Sequence, residues 1–168
     1  MIDSIWRLFN KKVKCPCCGW EGNEFKPTGV KKRKNAKCPQ CSAVERHRIF
    51  YLFLRDYLPK NKPIKLLHFA PEPSIANLFQ SYKNIEYLSA DIDPEKAMVV
   101  EDILNLSFMD NIFDYIFCSH VLEHIPDDIK AMSELCRILK PGGMAIISVP
   151  VYNIDRTYEN PSITLPQE

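Results

Sequence analysis

Phe113-Asp114-Tyr115-Ile116-Phe117-Cys118-Ser119-His120-Val121-Leu122-Glu123-His124-Ile125 decides the fold. Its first seven residues are rich in aromatic and apolar side chains with a single charge, which predicts a buried strand, Phe113–Ser119. The polar Ser119-His120 step marks where the strand ends. Downstream, Asp127–Leu139 carries helical periodicity through Ile129, Met132, Leu135, Cys136 and Leu139. Asp127-Asp128 follows Pro126 and reads as the cap of that helix. Lys140-Pro141-Gly142-Gly143 is a stop signal, a turn feeding a further strand, Met144–Val149. Strand, helix and strand in this order form one unit of a parallel sheet.

Working back from that stretch, the alternation continues. Ile64–Phe69 is a short apolar strand, Ser74–Tyr82 a helix, and Ile85–Ala90 a second strand with Asp91 at its end. Ala97–Val100 is a short third strand. Before them, Arg46–Leu58 has a helical pattern that Pro59 ends, and Pro59–Pro63 reads as a linker. Residues 2–12 place Ile2, Ile5, Trp6 and Phe9 at helical spacing, an amphipathic helix expected to pack on its own protein. Cys118 and Cys136 sit in apolar surroundings and read as small core residues.

The remaining five of the seven cysteines fall between positions 15 and 41. Cys15 and Cys18 are separated by two residues, as are Cys38 and Cys41. A turn of that length aims both thiolates at one point, and two such turns complete the tetrahedral set that zinc takes in structural sites. Four thiolates leave no open position, so the metal is expected to hold the fold. Cys17 is surplus and is expected to be a free thiol. Between the knuckles runs Lys31-Lys32-Arg33-Lys34, read first as a solvated hairpin tip and second as a nucleic-acid contact.

The totals agree. The 168 residues are 46 % apolar and 26 % charged, the balance of a folded chain. A net charge of +1 offers no global attraction for nucleic acid or an anionic membrane. No apolar run is long enough to span a bilayer and no signal segment is evident, so the expected localisation is cytoplasmic.

Residues 64–150 resemble the class I methyltransferases that use S-adenosylmethionine (SAM). Four stretches carry the likeness. They are Lys65–Glu72; Tyr87–Asp93; Val100–Ile103 with Leu106-Ser107-Phe108; and Phe113–Ile125 with Leu139–Gly143. Cys38–Arg48 ahead of them resembles a subgroup in which a zinc ribbon precedes the catalytic fold. The expected architecture is α/β, a Rossmann-like, doubly wound, mostly parallel sheet after a small four-cysteine ribbon. Its parts are an N-terminal helix at 1–12, the ribbon at 13–45, a helix and linker at 46–62, the SAM-binding core at 63–150 and a tail at 151–168. The resemblance implies a ribose contact from Asp91, with Asp93 as second choice and Ile92 beside them. It implies an adenine contact from Asp102 with Ile103, and methionine-side contacts from His68, Ala70, Glu72, Ser119 and His120. If transfer requires a base, His120 is the candidate, with His124 behind it; the two share a face if both lie on one helical turn. Cys15, Cys18, Cys38 and Cys41 are the expected zinc ligands.

Two features depart from the family. The first loop, Ala70-Pro71-Glu72-Pro73-Ser74, has no glycine and two prolines, among thirteen prolines and five glycines overall. Only Pro150–Glu168 follow the fifth strand, so the fold is expected to be C-terminally incomplete, with an exposed edge that a second copy could cover. The expected function is methyl transfer to a small molecule, sugar or glycan. The alternatives are an inactive binding module or a truncated fragment of the enzyme, and a nucleic-acid substrate is less favoured.

Overall fold

The computed structural model describes residues 12–151. The expected helix at 2–12 lies almost wholly outside these residues, as does the tail from 152 on. Contacts divide the chain into two units: one runs to Pro59 and also takes Glu72–Ser81, and the other comprises Lys60–Pro71 and the chain from Tyr82.

The first unit contains two small antiparallel ladders. Val13–Lys14 (β1) pairs with Glu21–Gly22 (β2), and Lys26–Thr28 (β3) pairs with Arg33–Lys37 (β4) through a bulge. The helix Glu45–Tyr57 (α1) follows, and a second helix, Pro73–Ser81 (α2), packs against it. The ribbon's core is very small: Cys15, Phe25, Cys38 and Ala43, with Trp20 tilted onto Phe25. Arg48 ties helix to ribbon. Its guanidinium lies 4.1 Å from the Phe25 ring centre and donates to the carbonyls of Ala36 at 2.8 Å and Ala43 at 3.0 Å.

The second unit is a five-stranded parallel sheet built from Ile64–Phe69 (β5), Ile85–Asp91 (β6), Val99–Val100 (β7), Phe113–Ser119 (β8) and Leu139–Ser148 (β9). The order across the sheet is β7-β6-β5-β8-β9, so strand order reverses between β5 and β8. The helix Asp128–Ile138 (α3) buries Ala131, Leu135 and Ile138 in one cluster with Leu67, Phe69, Ile116 and Cys118. Asp127 caps it as expected, accepting from the Lys130 N–H at 2.9 Å.

Three expectations are corrected. The buried stripe of α3 runs through 131, 135 and 138, so Cys136 is exposed and Ile129 and Met132 face outward. Ala97 and Met98 are not in β7, because the Met98 N–H donates to Ser89 Oγ at 3.1 Å instead of to the ladder. Lys140–Gly143 belongs to β9 rather than to a separate turn. Two steps along β8, from Phe113 to Tyr115, oppose five along β9, from Leu139 to Met144, which makes a wide bulge. Gly142 takes a φ of +76° there, and a Cβ on Gly143 would lie 2.9 Å from the Lys140 carbonyl oxygen and 3.0 Å from that of Asp114. Asp114 fastens this end of the sheet, accepting from the Lys65 N–H and from Lys140 Nζ, both at 2.8 Å. Burial works against its charge, but the lysine and the amide outweigh that and hold the carboxyl below its usual range.

Candidate functional site

In an open parallel sheet, ligands sit beyond the carboxyl ends of the strands where strand order reverses. Here that point lies between the ends of β5 and β8. Phe69 pairs with Cys118, so one step further the register sets Ala70 beside Ser119. The Ala70 N–H donates to the Ala90 carbonyl at 2.9 Å and the His120 N–H to the Ser148 carbonyl at 2.8 Å. Immediately after these last ladder bonds both residues enter the left-handed region, Ala70 at φ 47° and His120 at φ 57°. A residue with a Cβ pays about 1–2 kcal/mol for that conformation, and such strain collects at functional sites. Ala70 therefore holds a conformation that glycine usually supplies. Between them, Ser119 is buried and its Oγ has no hydrogen-bond partner among the described residues.

The neighbouring strand ends carry the acids. Asp91 ends β6 and accepts from the Asp93 N–H at 2.9 Å through one carboxylate oxygen. Asp93 is turned to other work: it accepts from the Glu95 N–H at 3.0 Å and pairs with Lys96 at 3.1 Å, and these two partners lower its pKa. Ile92, between them, is largely exposed. Asp102 follows β7 and accepts from the Leu104 N–H at 2.9 Å, which makes it a turn cap as well as an exposed carboxylate. Ile103 is buried in the core cluster with Leu106.

Other candidates have fixed partners. His68 is fully buried, its Nδ1 lies 3.2 Å from Tyr87 Oη, and its ring meets Phe117 edge-on. Glu72 belongs to the first unit, where its carboxylate is 3.8 Å from His47 Nε2. His120 Nδ1 is 3.0 Å from Glu123 Oε1. His120 and His124 would share a face only on one helical turn. The helix here is only the 3-10 turn Leu122–His124, and left-handed His120 precedes it, so no shared helical face forms.

Sequence reading missed the residues that brace the loop carrying Asp102. Buried Glu101 accepts from the Ser107 N–H at 2.9 Å and also engages Ser107 Oγ. Glu134 accepts from the Leu106 N–H at 2.9 Å, and Arg137 donates to the Leu106 and Phe108 carbonyls and to Asp110. Nothing in the sequence tells that Glu101 turns inward while Asp102 stays exposed.

The four expected cysteines do converge. The sulfurs of Cys15, Cys18, Cys38 and Cys41 all lie within 4.8 Å of one another, with Cys15–Cys41 at 3.6 Å and Cys18–Cys38 at 3.7 Å. Four thiolates held at the usual zinc–sulfur length of about 2.3 Å would stand roughly 3.8 Å apart, so this set fits a tetrahedral ion. Cys17 is not one of the four; it packs beside them, with its Sγ 4.0 Å from the His47 carbonyl.

Residues 67–147 match the methyltransferase domain family. This stretch is thus a methyltransferase domain, on a Rossmann-like fold of the class I type. Its curated relatives include phosphoethanolamine N-methyltransferase 2 of Caenorhabditis elegans, 37 % identical over 39 % of this chain and 15 % of that protein. They also include demethylmenaquinone methyltransferase of Staphylococcus epidermidis, 45 % identical over 29 % of this chain and 20 % of that protein. The chain thus spans a fifth or less of the length of these two relatives. Among solved structures, the PH0226 protein of Pyrococcus horikoshii is similar at 25 % identity and a TM-score of 0.52, over 61 % of this chain and 55 % of its own. The methyltransferase domain has SAM as its implied methyl donor. No helix among the described residues is long and apolar enough to cross a membrane.

Proposed function

We propose that this protein is a SAM-dependent methyltransferase acting on a small-molecule acceptor, with a structural zinc ion in its ribbon. The observation that carries the reading is the pair of left-handed residues, Ala70 and His120, flanking the unpartnered Ser119 Oγ at the switch point of the sheet. In this reading Asp91 accepts the ribose hydroxyls and Asp102 the adenine amino group, with Ile92 against the base. Ile103 is buried, so it contributes through its backbone. Ala70 lets the chain approach the methionine part closely, and Ser119 donates its orphan hydroxyl there. Glu72 stays a candidate for the α-amino group on the resemblance alone, and His68 supports the strand end from within the sheet. Cys15, Cys18, Cys38 and Cys41 hold the zinc.

SAM supplies an activated methyl group, so the protein's task is alignment of donor and acceptor. Where the acceptor must lose a proton, His120 takes it at Nε2, with Nδ1 oriented by Glu123. His124 is the second candidate. The two relatives act on phosphoethanolamine and on demethylmenaquinone, which supports a small or lipid-like acceptor over a polymer. A cytoplasmic location, and a dimer through the β9 edge, belong to the same reading.

A binding module without chemistry is the second reading. The observation favouring it is the loop Ala70–Ser74, where Pro71 and Pro73 offer no N–H to a ligand. Calorimetric titration of the zinc-loaded protein with SAM and with its demethylated product tests the site. Micromolar binding lost by at least tenfold in Asp91→Ala, and retained in Asp93→Asn, is the expected result. A folded chain that binds neither compound overturns the proposal.

A further inference from the structure

The hairpin of β3 and β4 carries a charge distribution that the cofactor site does not use. From Lys26 to Lys37 there are six cations, Lys26, Lys31, Lys32, Arg33, Lys34 and Lys37, and no acid. The chain's net charge is +1, so everything outside this hairpin sums to −5. Arg33 meets Glu45 loosely at 3.4 Å, and among the described residues none of the five lysines has a carboxylate within ion-pair reach.

The fold concentrates this charge instead of dispersing it. The register sets Lys26 directly opposite Lys37, a like-charge cross-strand pair that weakens the ladder. Lys26–Lys37 and Thr28–Arg33 are the two cross-strand pairs on either side of the bulge, and Ala36 beside Lys37 is buried. Arg33 and Lys37 are four residues apart, at most roughly 13 Å of chain, since the bulge and left-handed Asn35 lie between them. Lys31 and Lys32 extend the row at the tip, where Lys32 is held left-handed at φ 46°. The ribbon is anchored beneath by Asn35, whose Oδ1 accepts from the Phe25 N–H at 2.7 Å, and by Arg48.

We infer that this hairpin is a docking surface for the phosphate backbone of a nucleic acid. A narrow row of cations on a braced β-ribbon matches a linear polyanion, in which successive phosphates recur along one line. A membrane surface is the weaker fit. Its anions form a plane, and the tip offers a single exposed apolar side chain, Val30, to enter it. The contact is to the backbone and reads no sequence, because no aromatic side chain stands on the hairpin to stack a base. It is a tether separate from the methyl acceptor.

The test uses the zinc-loaded full chain and labelled single-stranded RNA, duplex RNA and duplex DNA of roughly 20 nucleotides, read by anisotropy between about 50 and 200 mM salt. Vesicles of phosphatidylcholine with and without phosphatidylserine run in parallel. We expect micromolar binding at low salt with a log–log salt slope of about −3 to −5. In the variant Lys31→Gln, Lys32→Asn, Lys34→Gln, the slope shrinks by about 2 and affinity falls at least tenfold. Asn at 32 tolerates the left-handed backbone, and unchanged near-ultraviolet circular dichroism and zinc content show that the variant is folded. Lys60→Gln, Lys62→Gln, Lys83→Gln removes equal charge elsewhere and is expected to bind like the parent. Preference for RNA or DNA in this pattern supports the inference. It is overturned by no binding at low salt, by equal loss in both triple variants, or by binding to anionic vesicles alone. SAM titration of the hairpin variant separates this result from the cofactor reading, since SAM affinity is expected to be unchanged.

Discussion

Replacing Ala70 by glycine tests whether the end of β5 is strained by design. The perturbation removes one methyl group from a residue held at φ 47°. Relief of the left-handed penalty is worth about 1–2 kcal/mol. Against it stand the greater freedom of glycine in the unfolded chain, about 0.5–1 kcal/mol, and the half-buried methyl, about 0.4 kcal/mol. The net expectation is a small gain of about 0.5 kcal/mol, or roughly 1–2 °C in Tm. Ala70→Val goes the other way by about 2 kcal/mol, since a β-branched side chain is least tolerated there. Gly143→Ala supplies a reference of opposite sign. Its Cβ would meet two backbone carbonyls at 2.9 and 3.0 Å, neither of which can yield, and the expected loss is about 1–3 kcal/mol. Urea unfolding followed by far-ultraviolet circular dichroism reads all three. SAM affinity of Ala70→Gly should stay within about threefold of the parent, because only the approach of the backbone is at stake. A loss of stability above about 0.5 kcal/mol in Ala70→Gly would refute the strain argument and make the Ala70 methyl a packing group.

Other expectations are simpler to state. Ile116→Ala, at a fully buried centre of the sheet, should cost about 2–5 kcal/mol in the same urea assay. Cys18→Ser, or chelation of the parent, should abolish one-to-one zinc binding measured by elemental analysis and expose the ribbon to protease, since four buried residues cannot hold it alone. Glu134, hydrogen-bonded to Arg137, has its carboxyl lowered to about 2, so its contribution is present above about pH 5 and is lost as pH falls toward 2; Glu134→Gln should flatten that acid limb of stability. His120→Gln should reduce the methyl-transfer rate more than SAM affinity, whereas equal loss of both would remove the base role.

The strands were legible because β5 and β8 are buried along most of their length and their apolar runs have no competing period. The convergence of the four cysteines was legible because a two-residue spacing leaves few ways to place two thiolates. The face of α3 was not. Ile129, Met132 and Cys136 form as good a stripe on paper as Ala131, Leu135 and Ile138, and the choice is made by contacts with Leu67 and Ile116 far away in sequence. The bulge at Lys140–Gly143 was equally hidden, because Pro-Gly-Gly marks a departure from regular backbone without saying whether pairing stops. Here it resumes, held by Asp114 and Lys140.

The first loop lacks the glycines usual in the family, and its backbone supplies part of what they provide. A glycine-rich loop is needed for two things: left-handed backbone and the absence of side chains. Ala70 meets the first at a cost in strain and most of the second, since its side chain is one carbon. His120 adopts the same left-handed backbone on the other side of the switch point and adds an imidazole that Glu123 orients. Strain at one strand end could be an accident of a turn. Strain at the two strand ends that flank the reversal of strand order, with an unsatisfied hydroxyl between them, is a cost that packing alone does not repay. A ligand that takes a hydrogen bond from Ser119 and needs close backbone approach at Ala70 would offset it, and this favours an occupied site over a fold that has kept only its shape.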